Sequence, residues 1–482
     1  MSAPTQREAR VPRKVVQVEL ARGLAPVWTG GRYAVVCALV RHQGVPLGWV
    51  DVPCDGRAEL GADAMREAIE RQLGALLPAV VLGSAAPPAP GATPPISVVV
   101  CTRGRPELLD GCLAALAALD YPEYEVLVVD NGGGAVAAAR AERRGARYVR
   151  EERPGLDWAR NRGIAAARHG VVAFTGDDAR PDPGWLRTLG TAFADPAVMA
   201  VTGPVVPLEL ETPAQERAAR TRAGAAHDFE RRRLRRAELR DEELLAARGF
   251  GLGVNMAFRR SVFDDVRPFD PALDAGTDSG AGGDVELLHR LVARGHTLVY
   301  EPSALVWRLH PRDEASLRRR RYEDGSGFAS YLLTCWRNRT VPRRLVARYF
   351  LVSWLAAGLL RRLVRPGHDR RRLILDELRG VLASPFHYRA ARARARRAAG
   401  VPRGGRATPA RLPALSPNGR EADAGEAGGP PEAVGALDVH PGGDGGSPGG
   451  EGSRAPERER ARDRRDEERP SEPPASLGGA AP

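Results

Sequence analysis

The sequence predicts an α/β protein with a mixed, mainly parallel sheet flanked by helices. From residue 96 onward, apolar runs of strand length alternate with segments of helix length. That alternation is typical of βαβ units, whose strands pair in parallel. Polar or glycine-rich residues follow three of the apolar runs. A ligand site at the carboxyl edge of a parallel sheet requires residues of this kind.

Composition limits the class of protein. At 482 residues the chain is long enough for two or three domains. Its net charge of +12 can attract phosphates, nucleic acid or anionic lipid. No nucleic-acid-binding motif follows, so a nucleic-acid partner is not expected. The 5 cysteines are widely separated and odd in number, which favours neither disulfides nor a zinc site and indicates a reducing, cytoplasmic compartment.

No targeting segment or transmembrane helix is predicted. Residues 1–14 are polar, lack the apolar core of a signal peptide, and are expected to be disordered. The longest apolar run, at 349–360, is shorter than the roughly 20 residues that span a bilayer. The tail at 400–482 is rich in Gly, Pro, Ala, Arg and Glu, and it is also expected to be disordered.

Residues 15–82 are expected to form a small N-terminal α/β domain. Three strand-like runs share a high β-branched or apolar content, at 15–20, 33–40 and 47–52. A helix follows, with Asp63 as the expected N-cap and with apolar residues at helical spacing: Met65, Ile69, Leu73 and Leu76. The Ala- and Pro-rich stretch at 83–95 is a predicted linker.

The second predicted domain covers residues 96–340. Its first strands are expected at 96–100, 125–129, 146–149 and in the run that ends at Asp177. Residues 213–248 are charged with little apolar content, which predicts a solvated insertion. Residues 341–399 are expected to be helical, and the part near 343–365 has two interpretations: it lies on an anionic membrane, or it packs against the preceding domain.

An acidic pair is the most informative motif. Gly176-Asp177-Asp178-Ala179 comes directly after the apolar run 170–174, so it is expected at the carboxyl edge of the sheet. Two carboxylates there suit a divalent cation that holds a diphosphate, because hard cations take oxygen ligands. A plain surface turn is the alternative, since Asp, Gly and Pro are common turn residues.

The order of these segments resembles the family 2 glycosyltransferases, which have the GT-A fold. The resemblance covers about residues 96–340. It rests on four motifs in the family's order: ISVVVCTRGRP at 96–106, VVDN at 128–131, ARNRGI at 159–164, and FTGDDARPDPGWL at 174–186. The N-terminal unit is similar to extensions that precede some actinobacterial enzymes of this family.

The resemblance implies a nucleotide-diphosphate sugar donor and Mg²⁺ or Mn²⁺ as cofactor. Asp178 matches the direct metal ligand, whereas Gly176 stands where the family usually has a further acid. His310 matches a position where histidine often completes the metal shell. A structural histidine is the alternative.

The resemblance also implies a set of nucleotide-binding residues. They are Thr102, Arg103 and Arg105 in the first loop, Asp130 as the acceptor for the base, Arg160 and Arg162 for the diphosphate, and Asp177 beside the metal ligand. Turn formation or helix capping is the alternative for Asp130. A role as exposed surface residues is the alternative for the two arginines.

On the acceptor side, Asp284 is the expected general base, with N-capping of its helix as the alternative. It lies in Gly282-Gly283-Asp284-Val285-Glu286, where Gly283 replaces a glutamate that is usual in the family. Glu286 is the reserve candidate. Trp185 would line the sugar pocket or the core, and Asn255 lies on the strand expected to approach the donor from the acceptor side.

The sequence thus predicts an inverting glycosyltransferase at the inner face of the cell membrane or in the cytoplasm. Its acceptor would be a hydroxyl of a glycan, a lipid-linked sugar or a secondary metabolite, as in cell-wall or polysaccharide biosynthesis. Two alternatives remain: a nucleotidyltransferase, and a catalytically weak binding or scaffold protein, which the missing acids at Gly176 and Gly283 suggest.

Overall fold

The computed structural model describes residues 12–75, 93–223, 229–360 and 368–400. In these ranges the strands are β1 (Arg13–Glu19), β2 (Val27–Trp28), β3 (Val35–His42), β4 (Val45–Pro53), β5 (Glu59–Leu60), β6 (Ile96–Thr102), β7 (Tyr124–Asp130), β8 (Arg147–Arg150), β9 (Val171–Gly176), β10 (Ala179–Pro181), β11 (Val198–Thr202), β12 (Val205–Pro207), β13 (Arg232–Leu234), β14 (Met256–Arg259), β15 (Thr297–Tyr300) and β16 (Val306–Arg308).

The helices of the same ranges are α1 (Ala62–Leu73), α2 (Pro106–Ala117), α3 (Ala135–Arg143), α4 (Leu156–Ala166), α5 (Trp185–Ala192), α6 (Pro213–Ala223), α7 (Asp241–Leu245), α8 (Val262–Asp265), α9 (Gly283–Ala293), α10 (Glu314–Asn338), α11 (Arg343–Arg348) and α12 (His368–Ala398). Tyr349–Leu360 continues from α11 as a π-helical segment. Leu76, most of the predicted linker and the predicted C-terminal tail lie outside the described residues.

An eight-stranded sheet forms the centre, in the order β13-β15-β11-β14-β9-β6-β7-β8. The strands β9, β6, β7 and β8 pair in parallel, and β15 pairs in parallel with β11, whereas β13 and β14 run antiparallel to their neighbours. This confirms the predicted α/β class and the mainly parallel sheet. All seven residues of β6 are buried, as expected for a strand whose two faces are both covered by helices.

A smaller sheet, β10-β16-β12, continues the chain after the acidic pair. Because Ala179 pairs with Arg308 in an antiparallel register, β16 brings residues from near the end of the domain to the residues that follow β9. The backbone N–H of Leu309 donates to the carbonyl oxygen of Asp178 at 2.9 Å. This sheet therefore fixes the acidic pair from the side opposite β6.

The N-terminal unit has a β1-β3-β4 sheet covered by α1. Its strands match the predicted ones, but β1 begins at Arg13, inside the stretch expected to be disordered. The helix begins at Ala62 behind Gly61, so Asp63 lies in the first turn and is not the N-cap. The unit packs on the larger domain through a buried ion pair, Arg41 Nη1 to Asp182 Oδ2 at 2.6 Å.

The segment at 213–248 was predicted to be a solvated insertion, and its described part contradicts this. The strand β13 pairs with β15 and extends the central sheet, and Leu244 and Leu245 are fully buried. The few apolar residues of the segment lie where it contacts the core. The average hydropathy of the segment is low, so it does not reveal them. Charge pairs such as Arg236 with Asp241 satisfy much of the rest.

The C-terminal helices pack along the domain, and α10 and α12 lie against each other. Within the described ranges, no helix is both long and apolar enough to cross a membrane. The segment after α11 carries Trp354, which is buried against Phe328 with the two rings stacked at 5.5 Å between centroids. Leu351 and Val352 on the same segment are more than half exposed.

Candidate functional site

A cavity of about 820 Å³ opens at the carboxyl edge of the central sheet. The ends of β6 and β9, the start of α9 and residues of α10 contribute to its wall. The predicted site residues that line it are Arg103, Arg105, Arg160, Asp177, Asp178 and Asp284. The fold therefore brings together residues from four separate sequence motifs.

Asp177 lies at one end of the cavity and is fully buried. Its Oδ2 accepts a hydrogen bond from Thr102 Oγ1 at 2.8 Å, and the guanidinium of Arg105 binds both of its carboxylate oxygens. Arg105 precedes α2, where Pro106 at the first helical position sets the turn. Its side chain is 50% exposed, so it reaches Asp177 from the solvent side.

Asp178 is bound by an arginine that the sequence analysis did not single out. Arg308 donates from Nε and Nη2 to Asp178 Oδ2, at 3.1 and 2.9 Å. Burial raises the pKa of Asp178, but the charge of Arg308 outweighs this and holds the pKa below its ordinary value. Asp178 is therefore a carboxylate at neutral pH, as a metal ligand must be.

Asp130 at the end of β7 organises the glycine-rich turn that follows it. Its Oδ1 accepts from the N–H groups of Gly132 and Gly133, and its Oδ2 accepts from Gly134 N–H and from the Tyr148 hydroxyl. These bonds hold the pKa low although burial raises it. The side chain is fully buried and makes the contacts of the turn-forming alternative.

Arg160 is buried between two carboxylates. Its Nη1 donates to Asp157 Oδ1 at 2.8 Å and to Asp274 Oδ2 at 2.5 Å. Asp274 has a left-handed backbone, with φ of 66°, at the loop before α9. Non-glycine residues rarely adopt this conformation, and aspartate is among those that tolerate it best. The pairing places Arg160 in the floor of the cavity rather than free in solution.

Asp284 lies on the cavity wall in the first turn of α9. Its Oδ2 accepts from the backbone N–H of Gly253 at 2.6 Å, and its Oδ1 accepts from Val285 N–H at 2.8 Å. The side chain is only half-buried, so an acceptor hydroxyl could approach it from the cavity. Glu286, two residues later, is buried in an ion pair with Arg290 at 2.7 Å and does not line the cavity.

Six predicted residues do not line the cavity: Thr102 and Asp130, described above, and Arg162, Trp185, Asn255 and His310. Arg162 is exposed, because two residues along a helix turn the side chain by about 200° from Arg160. Trp185 is fully buried, and its Nε1–H donates to Asn255 Oδ1 at 2.9 Å. Asn255 in turn donates to the carbonyl groups of Pro204 and Ala304. Trp185 and Asn255 thus support the wall from behind, and His310 is buried beside β16.

Sequence reasoning missed several cavity residues. Arg308 stands two residues before His310, so the antiparallel register of β10 and β16 was the missing information. Asp274 lies 114 residues from Arg160, and no local pattern connects the two. The arginine run at 318–321 was visible in the sequence, and three of its four residues, Arg319, Arg320 and Arg321, line the cavity.

The donor set at the acidic pair fits a cation that arrives with a diphosphate. Among the described residues, His, Cys, Asp and Glu do not form a group of three that could hold a metal ion. Asp177 and Asp178 nevertheless offer adjacent carboxylates on the cavity wall. Mg²⁺ in phosphate sites is commonly bound by one or two carboxylates, with phosphate and water oxygens completing its shell.

Comparison with known proteins agrees with this arrangement. Residues 97–267 match the model of glycosyl transferase family 2. The chain is 26% identical to glycosyltransferase AglE of Haloferax volcanii over 276 residues, which are 55% of this chain and 82% of that protein.

Two solved structures are similar at lower identity. Mannosyltransferase PcManGT from Pyrobaculum calidifontis, in complex with GDP-Man and Mn²⁺, is 16% identical with a TM-score of 0.44, covering 65% of this chain and 94% of its own. S. aureus TarS 1-349 is 14% identical with a TM-score of 0.38, covering 62% and 88%.

Proposed function

We propose that this chain catalyses an inverting, metal-dependent transfer from a nucleotide-diphosphate sugar to an acceptor hydroxyl, and the match of residues 97–267 to the model of glycosyl transferase family 2 supports the transferase class. One observation carries the proposal: Asp178 and Asp284 face the same cavity from different elements. Asp178 lies beside two arginines suited to phosphate, and Asp284 has a carboxylate exposed to the cavity. The side of the cavity with Asp178 would bind the donor, and the side with Asp284 would bind the acceptor.

On the donor side, Asp178, with Asp177 beside it, would hold Mg²⁺ or Mn²⁺. The bound cation supplies positive charge that stabilises the leaving diphosphate. Arg105 and Arg308 already point at these carboxylates, and a guanidinium fork binds phosphate oxygens equally well. Both arginines can therefore turn from carboxylate to phosphate oxygens when the donor enters.

On the acceptor side, Asp284 takes the proton of the attacking hydroxyl. The hydroxyl oxygen forms a bond to the anomeric carbon as the bond from that carbon to the diphosphate oxygen breaks. Attack from the face opposite the leaving group inverts the configuration in one displacement. Two backbone N–H groups hold the carboxylate of Asp284 in place: that of Gly253 donates to Oδ2, and that of Val285 donates to Oδ1.

The test is a screen of nucleotide sugars for release of nucleoside diphosphate, with and without a chelator. We expect release from at least one donor, loss of release on chelation, and restoration by Mg²⁺ or Mn²⁺. The Asp178→Asn variant should lose the activity. Asp63→Asn is the matched control, because Asp63 is an exposed aspartate of the N-terminal unit.

Four outcomes would contradict the proposal. Release of pyrophosphate would indicate a nucleotidyltransferase instead. Full activity in Asp178→Asn would show that Asp178 is not an essential metal ligand. Full activity in the presence of chelator would show that the reaction does not need a cation. A product with the same anomeric configuration as the donor, measured by NMR, would exclude the single displacement.

We further propose that the acceptor is lipid-linked and that α12 lies on an anionic membrane surface. Leu375, Leu382 and Phe386 are 46%, 67% and 77% exposed, and their spacing places them on one stripe of the helix. Exposed arginines flank the stripe, at 371, 372, 379, 389 and 394. A helix with an apolar stripe and basic flanks is typical of binding at an anionic membrane interface.

The neighbouring π-helical segment strengthens this interpretation. It exposes Leu351 and Val352, whereas its Trp354 lines the cavity with Phe328 and Tyr331. The acceptor end of the cavity is thus built from an element whose outer face is apolar. A lipid-linked acceptor would reach Asp284 from that side.

Vesicle sedimentation tests the membrane contact. We expect the protein to sediment with phosphatidylglycerol vesicles and to remain in solution with phosphatidylcholine vesicles. Leu382→Gln combined with Phe386→Gln should abolish sedimentation, whereas Trp28→Gln, at a 65% exposed residue of the N-terminal unit, should not. Equal binding by the double variant would show that α12 is not the contact.

A further inference from the structure

We propose that Asp157 is a positioning residue of the acceptor side: its carboxyl group fills the space left by the missing side chain at residue 283 and holds Arg160 beside Asp284. The proposal rests on the proposed role of Asp284 as general base. Asp157 on α4 would thus supply an acidic group beside the first turn of α9, where α9 itself has Gly283.

Steric contact shows that Asp157 and Gly283 share one volume. A Cβ atom added to Gly283 would lie 1.9 Å from Asp157 Oδ2 and 2.7 Å from Asp157 Cγ. The backbone of Gly283 is not in the left-handed region, so its conformation does not itself require glycine. The Asp157 carboxyl group is therefore the reason why residue 283 has no side chain.

A short chain of contacts leads from Asp157 to Asp284. Asp157 Oδ1 accepts from Arg160 Nη1 at 2.8 Å. The other terminal nitrogen of Arg160, Nη2, lies against Gly253, at 2.3 Å from where a Cβ atom would stand. The N–H of Gly253 donates to Asp284 Oδ2 at 2.6 Å. A shift of Asp157 would thus move Arg160 and, through Gly253, the proposed base.

The burial of Asp157 gives it an unusual state. Its side chain is fully buried, and Oδ2 has no hydrogen-bond partner among the described residues. Burial, together with the negative charges of Asp274 and Asp284, raises the pKa of Asp157 well above its ordinary value, against the opposing effect of Arg160. The folded protein therefore holds the Asp157 proton more tightly than the unfolded chain does.

The charged and titratable groups around Asp157 come from every element packed on it. They are Arg160 on α4, Asp274 in the loop before α9, Asp284 and Arg290 on α9, and Cys101 on β6. When Asp157 is protonated, Asp274 is the carboxylate that binds Arg160 through Nη1, and Asp284 lies nearby. Ionisation of Asp157 would add a third negative charge beside the base.

The first experiment is a cycle of unfolding midpoints, which needs no substrate. Gly283→Ala should lower the midpoint strongly in the wild-type chain, and only slightly in the Asp157→Ala background, where the space is free. Gly170→Ala is the matched control, because a Cβ atom at Gly170 would meet nothing within 4 Å. If Gly283→Ala lowers the midpoint equally in both backgrounds, or no more than Gly170→Ala does, then Asp157 and residue 283 do not compete for the same space.

The second experiment measures release of nucleoside diphosphate from the donor that the wild-type enzyme turns over fastest. Asp157→Ala should lower kcat by about tenfold with little change in the KM for the donor, as for a residue that orients the base. Asp157→Asn keeps the shape and the acceptor oxygen, so it should retain most of the activity. Gly283→Glu should recover activity in the Asp157→Ala background.

These outcomes separate this proposal from the proposed function. If the wild-type chain releases no nucleoside diphosphate from any donor, the glycosyltransferase mechanism fails, but the unfolding cycle still decides whether Asp157 and residue 283 compete for space. If Asp157→Ala keeps the wild-type kcat, or if Asp157→Asn is as impaired as Asp157→Ala, the positioning role is wrong.

Discussion

The two acidic clusters of the cavity are built in different ways. At the donor end, Asp178 is bound by Arg308 and Asp177 by Arg105, and the arginine side chains are 17% and 50% exposed. At the acceptor end, Arg160 is 5% exposed between carboxylates that are similarly buried. The donor-end arginines can exchange partners with an incoming ligand, whereas the acceptor-end arginine is part of the folded framework.

The difference in burial determines how easily the ion pairs of each cluster can be broken. Breaking a buried ion pair leaves an uncompensated charge in a low-dielectric site, which is costly. In the Arg105–Asp177 pair the carboxylate is buried and the arginine is half-exposed, so the arginine can leave for an incoming phosphate while a bound cation takes its place beside Asp177. The donor end is therefore suited to binding and release, and the acceptor end to holding one catalytic group in place.

The largest expected effect comes from the proposed base. Asp284→Asn should lower kcat by about 10² to 10⁴, the usual contribution of general base catalysis. Its affinity for nucleoside diphosphate should stay near that of the wild type, because Asp284 belongs to the acceptor end. Asp178→Asn should instead weaken the binding of nucleoside diphosphate in the presence of Mg²⁺. Calorimetric titration beside steady-state rates measures both.

The division into two ends fails if these variants behave alike. Loss of nucleotide binding in Asp284→Asn as large as in Asp178→Asn would show that one network serves both substrates. Asp63→Asn again supplies the control for the loss of an exposed carboxylate.

The next effect concerns stability. Arg160→Met should lower the free energy of unfolding by about 3–5 kcal/mol, because it leaves Asp157 and Asp274 buried without their cation. Arg105→Met should lower it by a smaller amount, because Arg105 is itself half-exposed and Asp177, although buried, keeps its hydrogen bond from Thr102. Urea unfolding of the two variants measures both values. Equal losses would contradict the contrast between the two ends.

Features made by residues close together in the sequence could be predicted, whereas contacts between residues far apart in the sequence could not. The strand before Asp177 was predictable, because its apolar run and the acidic turn are adjacent in the chain. Asp178 and Asp284 could be located by motif, and both do line the cavity. Arg308, however, binds Asp178 across 130 residues, through a strand register that no local pattern encodes.

The positions that sequence reasoning placed less well have a different physical cause. Trp185 and Asn255 carry polar groups that suggest ligand contacts, but these groups bind each other in the core. Arg162 belongs to the motif of Arg160, and only the helical phase separates the two. Gly283 looked like a lost acid, whereas the structure shows that its space is occupied by Asp157.

The smallest expected effect is a difference in pH dependence between the two ends. The pKa of Asp157 is raised in the folded state, so the native chain binds this proton more tightly than the unfolded chain. Its contribution to stability is thus fully present below the ordinary value of 3.8 and is lost as pH rises toward the folded pKa. The pKa of Asp178 is lowered mainly by Arg308 against burial, so its contribution is lost as pH falls below 3.8.

Urea unfolding across pH distinguishes these signs. From about pH 5 upward, wild-type stability should fall relative to Asp157→Asn, which has no proton to lose. Over the same interval, the difference between wild type and Asp178→Asn should stay constant, because Asp178 is ionised throughout in both the folded and unfolded chains. A constant difference for Asp157→Asn would mean that Asp157 is ionised in the folded protein, and the acceptor end would then carry two buried negative charges around Arg160, beside the half-buried Asp284.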